Sequence, residues 1–324
     1  MAVEGVEVIP VETLTALANH HEVIGVVTQP DRPAGRQLPA SIPRLDGTPH
    51  PDLTGVWQAL NEANWDLEGH AARPAVALQP GVREGSLVPK ASVLALGARG
   101  GVPGSLGVVE GGTIPYRAEA LARRNENTAH ALERDPEVKC LLPGVPRATY
   151  LPFPFQITQG PTKMMFIYGF SNAGRAVHFD TVDPPKVETW MGHSVGRWEG
   201  DTLTVEVTHQ NDQTWFDRAG NFHGPGMRVT ERYTPLSRHH LWYEATIDDG
   251  STFAAPWTIR MPLYRRIEDH AQVFEYRCVE MVEELVYGHL RKSPLVRRAE
   301  HDYGRLGGTL RVDLTRMVSR TEDP

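Results

Sequence analysis

The 324-residue chain sets 40 Asp and Glu against 33 Lys and Arg for a formal charge of -7, and no basic stripe interleaved with aromatics stands out, which excludes nucleic acid as an expected partner. Its 40% hydrophobic content is enough for a sizeable core in one large domain or two, and 30 Gly with 26 Pro favour a turn-rich β protein over a helical one. No apolar run reaches membrane-spanning length and the start lacks the basic, apolar, small-residue order of a signal peptide, so the chain as written reads as cytoplasmic, with no membrane partner and with homo-oligomerisation left open.

In chain order, "VIPVETLTALANH" followed by "HEVIGVVTQPDRPAGRQ" (residues 8–37) reads as strand, helix, strand, turn. From Leu38 to about Thr113 the composition predicts wrapping loops, punctuated by Pro and Gly. A polar, superficial helix is predicted over Arg117–Arg134, stopping at Asp135-Pro136. Four prolines in "CLLPGVPRATYLPFPFQITQG" argue against regular structure before a strand, "KMMFIYGF", whose continuous apolar run predicts burial on both faces. Beyond Trp190, "DTLTVEVT" alternates Leu203, Val205 and Val207 against Thr204, Glu206 and Thr208. "MRVTERY", "LWYEATI", "WTIRMPL" and "QVFEYRCV" follow with turn signals between them.

These segments predict a mainly β fold: an antiparallel meander closing into a barrel or strongly curved sheet, calycin-like, with a two-sheet sandwich as the alternative. The expected organisation is residues 1–37 as a segment apart, 38–135 as the wrapping region with its helix, and 136–324 as the β domain. "GRWEGDTLTVEVT" at Gly196 and "GRLGGTLRVDLT" at Gly304 share a pattern, one hairpin used twice, too few copies for a solenoid. Cys140 and Cys278 are too few for a multi-thiolate metal site and too far apart for a local redox pair, leaving open whether they pair.

The motifs "DLTGVWQ", "VKCLLPGVPRATYLPFPFQI", "WMGHSVGRWEGDTLTVEV", "NDQTWFDRAGNFH", "VTERY" and "YEATIDD" carry a resemblance to a large family of mostly uncharacterised bacterial proteins, covering about four-fifths of the chain. The resemblance implies a shared fold and exported or periplasmic relatives, and brings no established activity. The opening residues instead resemble the N-terminal segment of methionyl-tRNA formyltransferase. That family's folate pocket and catalytic Asn, His and Asp come from later segments, and nothing after Gln37 offers its His-x-Ser-Leu-Leu-Pro run. The opening therefore reads as a graft, too short to bind folate or transfer a formyl group.

The densest polar constellation is the strand connection "THQNDQTWFDRAGNFHG", Thr208–Gly224. A long ordered connection at a barrel mouth is where binding groups usually sit. Asp212 and Asp217 could form an acid and base pair, one raised by burial against Trp215 and one kept ionised by Arg218, or could serve Asx-turns and local ion pairs. Glu231 shares a strand face with Met227, Val229 and Tyr233 and should point inward, with Arg260 and Arg265 as candidate partners. Glu275 repeats the theme beside Arg277. Such inward charges mark either a ligand cavity or a structural network.

Catalysis is thus assigned to Asp212, Asp217 and Glu231, and substrate binding to His193, Trp215, Arg218, His223, Tyr233 and Trp257. A metal reading takes His193, His209 and His223, with Glu231 or Asp217, although their spacing is not diagnostic. No cofactor is required; a divalent metal is the open case. Ser194 beside His193 points to the opposite strand face, which argues against a nucleophilic serine. The function expected is a small-molecule acid/base enzyme, a glycoside or ester hydrolase, with a non-catalytic binder of small ligands in an aromatic-lined cavity as the alternative. An interaction module, the third reading, requires an exposed apolar patch.

Overall fold

The computed structural model describes residues 42–74, 78–80, 87–89, 101–180, 182–273 and 276–280. The formyltransferase-like opening, Glu275 and the second copy of the hairpin lie outside these residues. Two short pairs, β2 (Arg73–Pro74) with β5 (Gly101–Val102) and β3 (Leu78–Pro80) with β4 (Leu87–Pro89), follow β1 (Gly55–Ala59). The remaining strands are β6 (Phe155–Gln159), β7 (Lys163–Tyr168), β8 (Gly174–His178), β9 (His193–Glu199), β10 (Thr202–Thr208), β11 (Arg228–Ser237), β12 (His240–Asp248) and β13 (Trp257–Arg265).

These eight and β1 close a barrel in the order β1-β13-β12-β11-β10-β9-β8-β7-β6, with β1 hydrogen-bonded to both β13 and β6. The expected mainly β barrel is what forms. Closure leaves no exposed strand edge in the ring. One pair departs from the meander: β8 and β9 run parallel, Val177 opposite Ser194. A parallel neighbour requires the chain to return along the barrel first, and residues 179–192 provide that crossover. At this contact Gly196 faces inward, where an added Cβ would lie 2.7 Å from Val177 Cγ1, so a larger residue would push the two strands apart.

Alternation sets the interior. On β11, Val229, Glu231 and Tyr233 are buried while Thr230 and Arg232 between them, and Thr234 beyond, are partly exposed. On β7, Met164, Phe166 and Tyr168 point inward but Lys163 and Ile167 are exposed, so the expectation of burial on both faces fails: the outside of this barrel wall meets solvent. Side chains from every wall fill the centre, among them Phe155, Phe166, Val205, Tyr243 and Met261, each no more than 0% exposed.

Three further expectations change. The stretch predicted to wrap supplies β1, because Trp57 and Ala59 enter the core and Trp57 Nε1 donates to Leu53 O at 2.9 Å. The proline-rich stretch contains a buried helical turn, Arg147–Tyr150, and runs directly into β6 after Pro154. "QVFEYRCV" forms no strand among its described residues; instead Cys278 is disulfide-bonded to Cys140 and Tyr276 packs 4.4 Å from Phe153. The predicted helix is present as α1 (Ala118–Ala129) and the short α2 (Ala131–Arg134), divided at His130, whose φ of -117° leaves the helical region.

Candidate functional site

The connection between β10 and β11 turns inward and plugs one end of the barrel. Phe216 is 1% exposed and lies edge-on to Trp257 at 5.3 Å, while Tyr150 donates to Phe216 O at 2.8 Å. Gly220, at φ +89°, lets α1 approach: an added Cβ would stand 2.8 Å from Thr128 N. Asp217 is wholly buried within the plug. Its Oδ2 accepts from Leu67 N at 2.9 Å and Asn221 Nδ2 at 2.6 Å, and its Oδ1 from Ala219 N at 3.0 Å and Asn221 N at 3.2 Å. Burial and the nearby Asp66 push its carboxyl up to about 7, against the pull of these N–H donors.

Arg218 turns away from Asp217 and binds Glu137, with Nε 2.8 Å from Oε2 and Nη2 2.6 Å from Oε1; its guanidinium lies 4.4 Å from the Trp65 ring centre. Glu137 also receives Arg147 Nη2 at 2.6 Å, and Arg147 reaches Asp135 at 3.0 Å and Asn64 Oδ1 at 2.9 Å. Burial works against the Glu137 charge, but Arg218 and Arg147 outweigh it and hold the carboxyl at about 2. Sequence reasoning missed this cluster. Asp135, Glu137 and Arg147 stand far from the loop in sequence; Asp135 and Glu137 sit in a charged run that reads as solvated, and only Arg147 stands out as a charge in a Pro-rich, mostly apolar stretch.

Inside the barrel Glu231 is 0% exposed and pairs with Arg175, Nη1 to Oε2 2.6 Å, instead of with Arg260 or Arg265. Arg260 pairs with Glu110 and Glu244 on the outside, and Arg265 donates to the backbone carbonyls of Arg238 and Thr54. Tyr233 and Tyr243 both donate to Glu231 Oε1, at 2.9 and 2.8 Å. Arg175 in turn donates to Tyr168 and Tyr233 hydroxyls at 3.0 and 3.1 Å. Burial opposes the Arg175 charge, yet Glu231 leads the groups that raise its pKa above the ordinary value. The inward carboxylate therefore sits in a structural network.

The three histidines are not brought together. His223 is buried, with Nε2 2.7 Å from Thr214 Oγ1 and Nδ1 2.9 Å from Gly224 O, so Nδ1 donates and Nε2 accepts in the neutral ring. Burial lowers its pKa and favours that form. His193 stacks on His178 at 5.9 Å, and the exposed His209 contacts Thr208 Oγ1 at 2.9 Å. Among the described residues no group of three or more His, Cys, Asp or Glu side chains is arranged to hold a metal ion.

Asp212 and Trp215 meet elsewhere. A cleft of about 420 Å³ opens on the outer side of the plug. Arg123 and Asn127 reach it from α1, Arg134 from α2, and Lys139 and Leu141 from the strand-free segment beyond. Trp190, Asp212, Gln213 and Trp215 line the other side. Trp190 is half-buried and Trp215 shows 7% of its surface, so Trp190 offers the larger aromatic surface to the cleft. The disulfide at Cys140, with Cα atoms 5.5 Å apart, anchors the wall between Lys139 and Leu141. Of the residues assigned from sequence, this cleft gathers Asp212 and Trp215; Arg218, His223, Tyr233, Trp257, Asp217 and Glu231 are buried away from it.

No protein-family model, no curated protein and no solved structure matches the chain.

Proposed function

We propose that the protein is a non-catalytic binder of small ligands and that the cleft between Trp190 and Trp215 is its site. The observation carrying this reading is the fate of the carboxylates: Asp217 and Glu231 are both 0% exposed, Asp217 with both oxygens accepting from N–H donors and Glu231 ion-paired to Arg175 with Oε1 accepting from two tyrosines, which leaves Asp212 as the one carboxylate among the described residues lining the cleft. Acid/base hydrolysis of glycosides uses two carboxyl groups flanking one open cleft, whereas aromatic surface with a few convergent polar groups suits recognition.

The test is a titration of the full chain, followed by intrinsic tryptophan fluorescence, with a panel of sugars, sugar acids, aromatic acids and fatty acids. Alongside it, chromogenic glycosides and esters are assayed for hydrolysis before and after chelation. Saturable binding lost in Trp190→Ala, without turnover, is the expected result. Turnover abolished in Asp212→Asn or Asp217→Asn with the fold retained would instead favour the hydrolase. The Cys140–Cys278 bond supports an oxidising compartment over the cytoplasm for this activity, and no helix among the described residues is long and apolar enough to cross a membrane.

A further inference from the structure

The lining of the cleft narrows the ligand's chemistry, and this inference rests on the reading of the cleft as the ligand site. Three cations, Arg123, Arg134 and Lys139, face one carboxylate, Asp212. Arg134 is already matched by Glu126, Nη2 to Oε1 2.7 Å, and the Arg123 guanidinium lies 4.4 Å from the Phe222 ring centre. Neither Arg123 nor Lys139 makes an ion pair with a described residue, so both charges are open to an incoming anion, and Lys139 is the more buried of the two. Asp212 is exposed and accepts no hydrogen bond from a described residue, so a ligand donor would take the place of water there.

Each simple ligand class leaves one of these groups without a partner. A fatty acid or aromatic acid without hydroxyls answers Lys139 and Trp190 but gives Asp212 no donor. A neutral sugar answers Asp212, Gln213 and Trp190 but leaves Lys139 unmatched. We infer that the cleft takes an acidic sugar, a uronate unit: its C–H face lies on Trp190, its hydroxyls donate to Asp212 and meet Gln213, and its carboxylate pairs with Lys139.

Calorimetry on the full chain with methyl glucuronide, methyl glucoside and benzoate tests this. The glucuronide is expected to bind about tenfold or more tightly than the glucoside, a difference of ~1.4 kcal/mol, and added salt should shrink that margin. Lys139→Gln should remove most of the margin, and Lys139→Arg should restore it. Equal binding of glucoside and glucuronide, or tighter binding of benzoate, would overturn the acidic-sugar assignment while leaving the cleft as the site. Failure of all three probes to bind, with the panel's other members equally silent at Trp190, would remove both.

Discussion

Arg218 Nη2 lies 2.6 Å from Oε1 of Glu137, a residue 81 positions earlier in the chain, and this contact ties the loop between β10 and β11 to the segment after α2. The pair is buried, so its worth lies in what happens when one partner goes. Removing one partner from a buried ion pair leaves an uncompensated charge and costs roughly 3–5 kcal/mol. Glu137→Gln should therefore destabilise the protein by about that amount, read from urea unfolding, and should loosen the cleft wall that follows it. Destabilisation within the error of the measurement would show the cluster to be solvated in solution.

Asp217 should make stability depend on pH in a particular direction. Its carboxyl is raised from 3.8 to about 7, so between those values the folded state holds a proton that the unfolded chain has released. Folded protein binding more protons means that this group's contribution is full below about pH 4 and is lost as pH rises through about 7. The lowered pKa of His223 works oppositely, its contribution being lost as pH falls, so the comparison must isolate Asp217. Asp217→Asn should be less stable at every pH, because its amide NH₂ replaces an acceptor that faces N–H donors. The gap between the two proteins should narrow as pH rises from 4 to 7. A constant gap would mean that Asp217 is ionised throughout.

Within the barrel, Glu231→Gln should cost roughly 3–5 kcal/mol because Arg175 would keep its charge with no counter-ion. Replacing both residues by apolar side chains of similar volume, as in Arg175→Met with Glu231→Leu, should recover much of that loss. Thermal melts of the single and double variants check this. A single variant that folds with wild-type stability yet loses a catalytic activity would return Glu231 to the catalytic role that sequence reasoning gave it.

Reduction of the Cys140–Cys278 bond, or its removal by Cys140→Ser with Cys278→Ser, releases a crosslink spanning 138 residues. Loop-closure entropy puts the loss at about 4–5 kcal/mol for a span of this size, and measured losses for native disulfides run roughly 2–5. Hydrogen exchange should show the greatest change in residues 276–280 and at Lys139 and Leu141. Exchange unchanged at those positions would show that the Tyr276 contacts with Phe153 and Phe170 hold the segment without the bond.

The barrel was legible because its strands alternate: Leu203, Val205 and Val207 on β10, and Val229, Glu231 and Tyr233 on β11, point where period two puts them. The strand that closes the ring was not, since β1 is a short run whose neighbours carry Pro and Gly, and pairing with both β13 and β6 overrides that local signal. Glu231 could be read as inward from its own strand, but its partner Arg175 stands on β8, a strand whose composition gives no cue to which neighbour it meets. The Thr208–Gly224 loop looked like an open site because it is polar. Its polar groups instead satisfy one another and the backbone of distant segments, an outcome that depends on tertiary contacts such as Leu67 N to Asp217. Only its tip, at Asp212, Gln213 and Trp215, meets the cleft, and two of the three basic residues opposite, Arg123 and Arg134, come from a helical stretch whose polar face sequence alone reads as a solvated surface.

In the proposed site the ligand is held between Trp190 and Trp215. Seven tryptophans give seven indole N–H signals in a ¹⁵N-resolved spectrum, and Trp190→Phe and Trp215→Phe assign the two that matter. Titration with the tightest-binding member of the panel should shift those two while the Trp57 and Trp242 signals, on the barrel wall, stay in place. Shifts confined to the other tryptophans, with Trp190 and Trp215 unmoved, would place the site outside this cleft.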